Sequence, residues 1–382
     1  MTRDEFDILC REEVRLSIER NIERDDCRVA LDRSIAYARE VATQVKYLQR
    51  AKSKLPSLYE ARCIIPPRAF EQSSSEQSAA AKSLAGDSLL DLTCGLGVDS
   101  AAFARRFRRV VALERDEVLA DVVRENMRRR GIANVEVVTS SAEEYVARCN
   151  EHFDWVYADP DRRTTSGQRV FRVEDCSPDM LSLMPLLGRI SERVAIKLSP
   201  LFDVEEAFRL FGRCGVEVVS VGGECKEVMV YIDGREPELS ATAVGVGSYA
   251  LSLSEAQIEP SLPEAFSADY EYLIIPDVAL QKARLVRHAL RGMADVWSNL
   301  SFGFAHQEPA EVLGRVESIK KIEPFDLKAL KREMKGCGVD ILVRDFPMGV
   351  DEVRRKCSMR SGNEHRIALT RIGGKCYTIH LA

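Results

Sequence analysis

The chain has 382 residues, 45% of them hydrophobic and 30% charged, with a formal net charge of −5. That length predicts two or three domains with enough apolar residues for a sizeable core, and the acidic balance excludes a wholesale nucleic-acid coat. No stretch approaches the ~18 apolar residues of a spanning helix, and the charged start "MTRDEFDILCREEVRLSIER" lacks the apolar run of a secretory signal, so a cytoplasmic protein with no membrane partner is expected.

The eleven cysteines are scattered, with no C-x-x-C pair and no Cys/His spacing. Free thiols are expected, and no metal site. Charge is uneven: from Lys321 onward thirteen Lys/Arg face eight Asp/Glu, or +5, which leaves −10 for the rest. Such asymmetry permits a basic appendage on an acidic body.

Residues 1–70 carry helical spacing, as in "EEVRLSIERNIER" and "ALDRSIAYAREVATQV", and are expected to form an N-terminal helical domain. Ser73 and Glu76 stand three apart, a predicted capping box opening an alanine-rich helix that ends at Gly86. From Ser88 the rhythm becomes strand, turn, helix. "SLLDLTC", "RVVALER", "NVEVVTS", "FDWVYADP" and "RVAIKLSP" read as strands, with helices between them. "VEVVSVGG" and "KEVMVYID" follow as an expected antiparallel pair. Alternation of this length predicts a parallel sheet covered on both faces, with ligands beyond the carboxyl ends of its strands.

From about Arg235 the alternation loosens into a small α+β pattern, including an expected helix "DVALQKARLVRHALRG". The last stretch offers helices "DLKALKREMKG" and "VDEVRRKCSM" and strands "VDILVRDFP", "HRIALTRI" and "KCYTIHLA". The expected partition is 1–70, 71–234, 235–318 and 319–382.

The stretch "LLDLTCGLGVDS" raises the functional question. Gly95 and Gly97 fit the start of a dinucleotide fingerprint, but Ser100 holds the third glycine position. Glu114 ends the second strand, placed to accept both ribose hydroxyls of an adenosine ligand. Those features alone suit a nicotinamide site or plain tight packing as well. Two further acids separate the readings. Asp91 beneath the turn would repel a pyrophosphate but hold an amino-acid ammonium. "ADPDRR" puts Asp159 and Pro160 at the lip of the same cleft. A ligand with adenosine at one end and a zwitterion at the other satisfies Asp91 and Glu114 together. S-adenosylmethionine is such a molecule.

These motifs resemble class I S-adenosylmethionine-dependent methyltransferases. The ordered set "EQSSSEQSA", "DLTCGLGVD", "ADPDRR", "KLSPLFD", "ECKEVMVY" and "ILVRDFP" is similar to the bacterial methyltransferases with a ferredoxin-like insert and a C-terminal THUMP-like domain. The resemblance covers nearly everything from about Lys54. It implies an α/β fold: a Rossmann-like methyltransferase sheet, an N-terminal helical domain, and small C-terminal α+β domains, ferredoxin-like over 235–318 and THUMP-like over 319–382. It implies that Asp91, Gly95 and Gly97 line the methionine end of the cofactor and Glu114 the ribose. Ser141 and Ala142 stand where such enzymes often put Asp-Ala beside adenine, and a serine hydroxyl there makes one hydrogen bond to the base. RNA, tRNA or rRNA, is the partner usually presumed for such proteins.

Methyl transfer is an in-line displacement for which the protein positions a lone pair about 3 Å from the methyl and excludes water. A D-P-x loop suits a planar nitrogen, whose hydrogens the Asp159 side chain and nearby carbonyls accept. Enzymes acting on amino groups usually follow with an aromatic residue; here Asp161, Arg162 and Arg163 follow. Arg162 is expected to stack or hold a phosphate, unless the arginines pair with Asp161 or Asp159 as loop structure; Arg163 is a further substrate candidate, and so is Lys197, to neutralise a substrate phosphate, although a strand-end lysine reaching solvent is the commoner case. Uridine-C5 methyltransferases carry a nucleophilic cysteine two residues before a proline on the next strand. That place is Leu198, so covalent activation of a ring carbon is disfavoured. Cys94 reads as packing under the turn. Asp203 and Glu224 read as surface groups that only the resemblance raises toward the site.

"ARRFRR" and "ENMRRR" suit a solvated helix face as well as a phosphate track. The tail cluster Arg354, Arg355, Lys356, Arg360 and Arg366 is the better candidate for RNA. The histidines lack metal spacing. The leading expectation is an RNA methyltransferase; the alternatives are a small-molecule or protein acceptor, or a silent RNA-binding module.

Overall fold

In the computed structural model the chain is described over residues 1–161 and 176–382. It divides into two compact units, Met1–Cys214 with Met229–Arg235, and Gly215–Val228 with Glu236–Ala382.

The first unit is built on five strands: β1 (Gly86–Asp91), β2 (Phe107–Glu114), β3 (Val135–Thr139), β4 (Trp155–Ala158) and β5 (Val194–Leu198). They are parallel in the order β3-β2-β1-β4-β5. Strands covered on both faces read as unbroken apolar runs, and all four residues of β4 are buried. β1 is flanked by β2 on one side and β4 on the other, so the chain reverses its winding at the carboxyl ends of β1 and β4. Such a switch point opens a crevice for ligands. Asp91 lies there, in register with Ala112 of β2 and Tyr157 of β4.

The N-terminal helices share a core with this unit. Val41, Val45, Leu48, Leu55 and Leu58 cluster with Leu96 of the glycine turn and with Val98 and Val122 of the helices that flank the sheet. Asn126 accepts from the Ile64 amide and donates to the Ile64 carbonyl, both at 2.8 Å, so a buried turn keeps its backbone partners. Gln44 does the same for Ile65 at 2.9 and 3.2 Å.

The cap of the alanine-rich helix differs from expectation. The helix is Glu76–Ala81 and its N-cap is Ser75, whose hydroxyl accepts from the Ser78 amide. Ser73 instead ends the preceding helix Pro67–Gln72. Glu76 turns away, accepting from the Ser57 amide and hydroxyl at 3.0 and 2.5 Å.

In the second unit β6 (Gly215–Val221) leads into β7 (Glu224–Ile232), whose last residues belong to the first unit. The link is Gly222 and Gly223, at φ 60° and 80°, a left-handed pair that glycine adopts without strain. β8 (Glu238–Ala243) pairs parallel with β6 and antiparallel with β9 (Gly247–Ser252).

Six further strands, β10 (Tyr272–Pro276), β11 (Gly303–Ala305), β12 (Gly314–Pro324), β13 (Gly338–Val343), β14 (Arg360–Ile372) and β15 (Lys375–Leu381), form one sheet ordered β11-β10-β12-β15-β14-β13. β12 runs across residue 318, where the sequence suggested a boundary, and the sheet takes strands from both sides of it. The expected helix after Pro276 is two short ones, Val278–Lys282 and Val286–Ala289. Arg284 is left-handed at φ 58°, and this break turns Leu285 and Val286 into the core. Among the described residues no helix is long and apolar enough to cross a membrane.

Candidate active site

Asp91 ends β1 fully buried. One carboxylate oxygen accepts from the Thr93 amide at 2.9 Å, and the other accepts the Ser100 hydroxyl at 2.5 Å. Ser100, the residue that breaks the dinucleotide fingerprint, therefore anchors the acid beneath the turn. Burial pushes the Asp91 carboxyl up to about 7, against the lowering effect of the Ser100 and Thr93 hydrogen bonds. A cation beside it would recover the charged form.

The two turn glycines differ in purpose. Gly95 and Gly97 both have left-handed backbones, at φ 54° and 76°. A Cβ at Gly97 would lie 2.8 Å from Val123 and 2.9 Å from Met127, so Gly97 permits close packing of the helix Glu117–Arg129. A Cβ at Gly95 would meet nothing nearer than the Thr93 carbonyl at 4.0 Å, which leaves room for a ligand to approach the backbone.

Glu114 ends β2 beside this turn. Its oxygens accept from the Gly95 amide at 3.1 Å and the Asp116 amide at 2.9 Å. Burial raises its carboxyl, while those backbone bonds pull the other way. Each oxygen keeps a lone pair for a ribose hydroxyl. Ser141 is the N-cap of the helix Ala142–Arg148, accepting from the Glu144 amide at 3.2 Å, and its own proton is not used by that cap. Ala142 is buried.

Asp159 follows β4 at the opposite lip. Its amide donates to the Thr93 hydroxyl at 2.6 Å, and the Lys197 ammonium donates to its carboxylate at 2.5 Å. Thr93 is thus bonded to both Asp91 and Asp159, which couples the two ends of the cleft through one residue. Pro160 is buried, and the Asp161 backbone bridges to Ser177 with bonds of 2.8 and 3.0 Å.

A polar network absent from the sequence reading underlies this lip. The Lys82 ammonium, 1% exposed, donates to Asp99 at 2.9 Å. Asp99 also accepts the Tyr157 hydroxyl at 3.0 Å and the Ser74 hydroxyl at 3.1 Å, and Ser74 accepts from Lys197 at 2.8 Å. Burial alone would raise the Asp99 carboxyl; the charges of Lys82 and Lys197 and the bonds from Lys82 and Tyr157 outweigh it and hold it at about 2. The available signal was an acid one residue into the helix after the turn, with a lysine among alanines upstream.

The remaining candidates are placed as follows. Lys197 meets Asp159 and Ser74. Arg162 and Arg163 lie outside the described residues. Asp203 caps the helix Val204–Phe211, and Glu224 is exposed beside Lys226. Leu198 is buried, and burial holds the Cys94 thiol well above its ordinary value, so it is not a thiolate. In the tail, four of the five expected RNA-binding cations are ion-paired: Arg354 with Asp351, Lys356 with Glu352, Arg360 with Glu364, and Arg366 with Glu317 and Asp340. His380 lies 2.9 Å from Glu323, which also pairs with Lys321.

A buried carboxylate and a half-buried one at the ends of adjacent strands, an open glycine between them and a third acid across the cleft fit a nucleoside carrying a cationic amino-acid tail. A diphosphate would be repelled by the same groups. The strand order is that of a Rossmann-like methyltransferase sheet.

Comparison with known proteins gives the same class. A methyltransferase domain family matches residues 89–171, and a THUMP-domain-like family matches residues 314–381. An uncharacterized S-adenosylmethionine-dependent methyltransferase of Mycobacterium tuberculosis is 27% identical over 343 residues, 85% of this chain and 90% of its own. A tRNA/tmRNA (uracil-C(5))-methyltransferase of Sodalis glossinidius is 29% identical over 164 residues, 37% of this chain and 43% of its own. The crystal structure of a putative methyltransferase from Porphyromonas gingivalis W83 superposes with a TM-score of 0.83 at 26% identity, over 100% of this chain and 99% of that one. The chain carries a methyltransferase domain of the class I S-adenosylmethionine-dependent type and a C-terminal THUMP-like domain. Its cofactor is S-adenosylmethionine.

Proposed function

We propose that the methyl acceptor is a base nitrogen of a structured RNA, tRNA or rRNA, presented at Asp159 and Pro160. The observation that carries this reading is the tie from Asp91 through Thr93 to Asp159, which fixes an acceptor-side carboxylate relative to the cofactor turn. We assign Asp91 and Gly95 to the methionine end of the cofactor, with Gly97 seating their turn against the helix Glu117–Arg129, Glu114 to the ribose, and Ser141 and Ala142 to the adenine side. Bound S-adenosylmethionine supplies an electrophilic methyl on a sulfonium.

The protein's part is orientation. An amino nitrogen on a base has its lone pair delocalised into the ring. A carboxylate accepting one of its hydrogens turns that lone pair out of plane and receives the proton released after transfer. Asp159 fills this role with Oδ1, since Oδ2 is held by Lys197. Pro160 stiffens the lip, and Asp161 is held by its backbone bridge to Ser177. Arg162 and Arg163 follow in sequence and are proposed to contact the RNA.

RNA is favoured by the THUMP-like domain and by the relative whose name gives tRNA and tmRNA as its targets. The uracil-C5 chemistry in that name is not carried over, because Leu198 stands where a nucleophile would be needed. The self-paired tail cations and the net charge of −5 favour a second reading, a small molecule or protein as acceptor. Transfer of tritiated methyl from S-adenosylmethionine to total RNA, against protein and metabolite extracts, tests the choice. Label in the RNA that appears as an N-methylated base supports the proposal; label confined to the other extracts refutes it.

A further inference from the structure

We propose that Lys197 is a positioning residue of the transfer site, with its ammonium pinning the Asp159 carboxylate. Ser74 and the buried Lys82–Asp99 pair in turn pin Lys197. The assignment deepens the reading above, on which it rests, and replaces the expectation that Lys197 meets a substrate phosphate.

The geometry carries it. β4 and β5 run parallel with Ala158 opposite Ile196, which brings Asp159 and Lys197 to the same level at the carboxyl edge of the sheet. Lys197 is only 13% exposed on its side chain and lies 2.5 Å from Asp159, whereas a cation kept for an RNA backbone would project into solvent. Its ammonium also donates to the Ser74 hydroxyl at 2.8 Å, which leads to Asp99 at 3.1 Å and on to Lys82 at 2.9 Å. The far end of this chain is almost wholly buried. A flexible four-carbon side chain thereby acquires a fixed end. The turn between the helices Pro67–Gln72 and Glu76–Ala81, which carries Ser74, becomes part of the acceptor side of the cleft.

The test uses full-length wild type, Lys197→Met, Lys197→Arg and Ser74→Ala, with urea unfolding confirming that each is folded. Calorimetry should give S-adenosylmethionine affinities within about twofold of wild type, because the network does not touch Asp91 or Glu114 directly. With total RNA from cells lacking the gene as acceptor, Lys197→Met should lose about 100-fold in kcat with little change in KM, as misplacement of a catalytic group does. Lys197→Arg should recover part of that loss, and Ser74→Ala should lose about tenfold or less, one hydrogen bond's worth. Crystals of Lys197→Met should have the Asp159 carboxylate displaced, and those of Lys197→Arg should not. A raised KM at unchanged kcat, with a shallower salt dependence, would mean that Lys197 meets phosphate and would overturn the proposal. An Asp159 that stays in place in Lys197→Met would overturn it equally. Should wild type fail to methylate RNA, the crystal comparison still decides the role of Lys197, and only the acceptor is withdrawn.

Discussion

Ser100 donates its hydroxyl to the buried carboxylate of Asp91 at 2.5 Å, so the helix after the glycine turn is tied to the end of the strand before it. The bond gives Asp91 one partner but no countercharge, and burial leaves the carboxyl near neutrality at about 7.

That value sets a pH dependence. A carboxyl raised on folding adds stability that is complete below its unfolded value and is lost as pH rises through about 7. A bound ammonium takes the ionised form, so cofactor binding must first remove the proton at lower pH. Affinity for S-adenosylmethionine should weaken about fivefold between pH 7 and pH 6, and its thermal stabilisation of the protein should be greater at the higher pH. Calorimetry across that range checks it, and Asp91→Asn should flatten the dependence while weakening binding overall.

The two glycines should separate stability from binding. Gly97→Ala drives a Cβ to within 3 Å of Val123 and Met127 and should cost about 1–3 kcal/mol in urea unfolding. Gly95→Ala has space but the same left-handed strain, so about 1 kcal/mol is expected. Its larger effect should be on cofactor affinity, measured by calorimetry.

Lys82 and Asp99 are a buried pair at 2.9 Å, 1% and 11% exposed on their side chains. Removing one partner strands the other's charge, so Lys82→Ala should destabilise by about 3–5 kcal/mol. The double variant Lys82→Met with Asp99→Asn should recover much of this. Denaturant midpoints of the single and double variants check both statements.

The parallel sheet was legible because its central strands carry apolar runs closed by turns, and because strand and helix alternate at a regular length. The placing of Asp91, Glu114 and Asp159 at the carboxyl edge of the sheet was legible for a related reason: each closes or follows an apolar run, and the topology brings strand ends together. The Ser74–Asp99–Lys82–Lys197 network was not. Ser74 and Lys197 are 123 residues apart, and a lysine in an alanine-rich stretch reads as a solvated face until the fold buries it. Local propensity also misplaced the cap at Ser73, because Glu76 found a better partner in Ser57. β12 was missed, since its burial is irregular and its composition polar. The tail cations form a cluster in the sequence, yet neighbouring acids on the same helix and adjacent strands neutralise most of them.

Comparative nucleoside mass spectrometry of tRNA and rRNA, from cells with the gene, without it, and with Asp159→Ala restored, tests the account most directly. It expects one N-methylated base to vanish with the gene, to return with wild type and not to return with Asp159→Ala. Unchanged nucleosides in all three, or the loss of a C5-methylated pyrimidine instead, would contradict it.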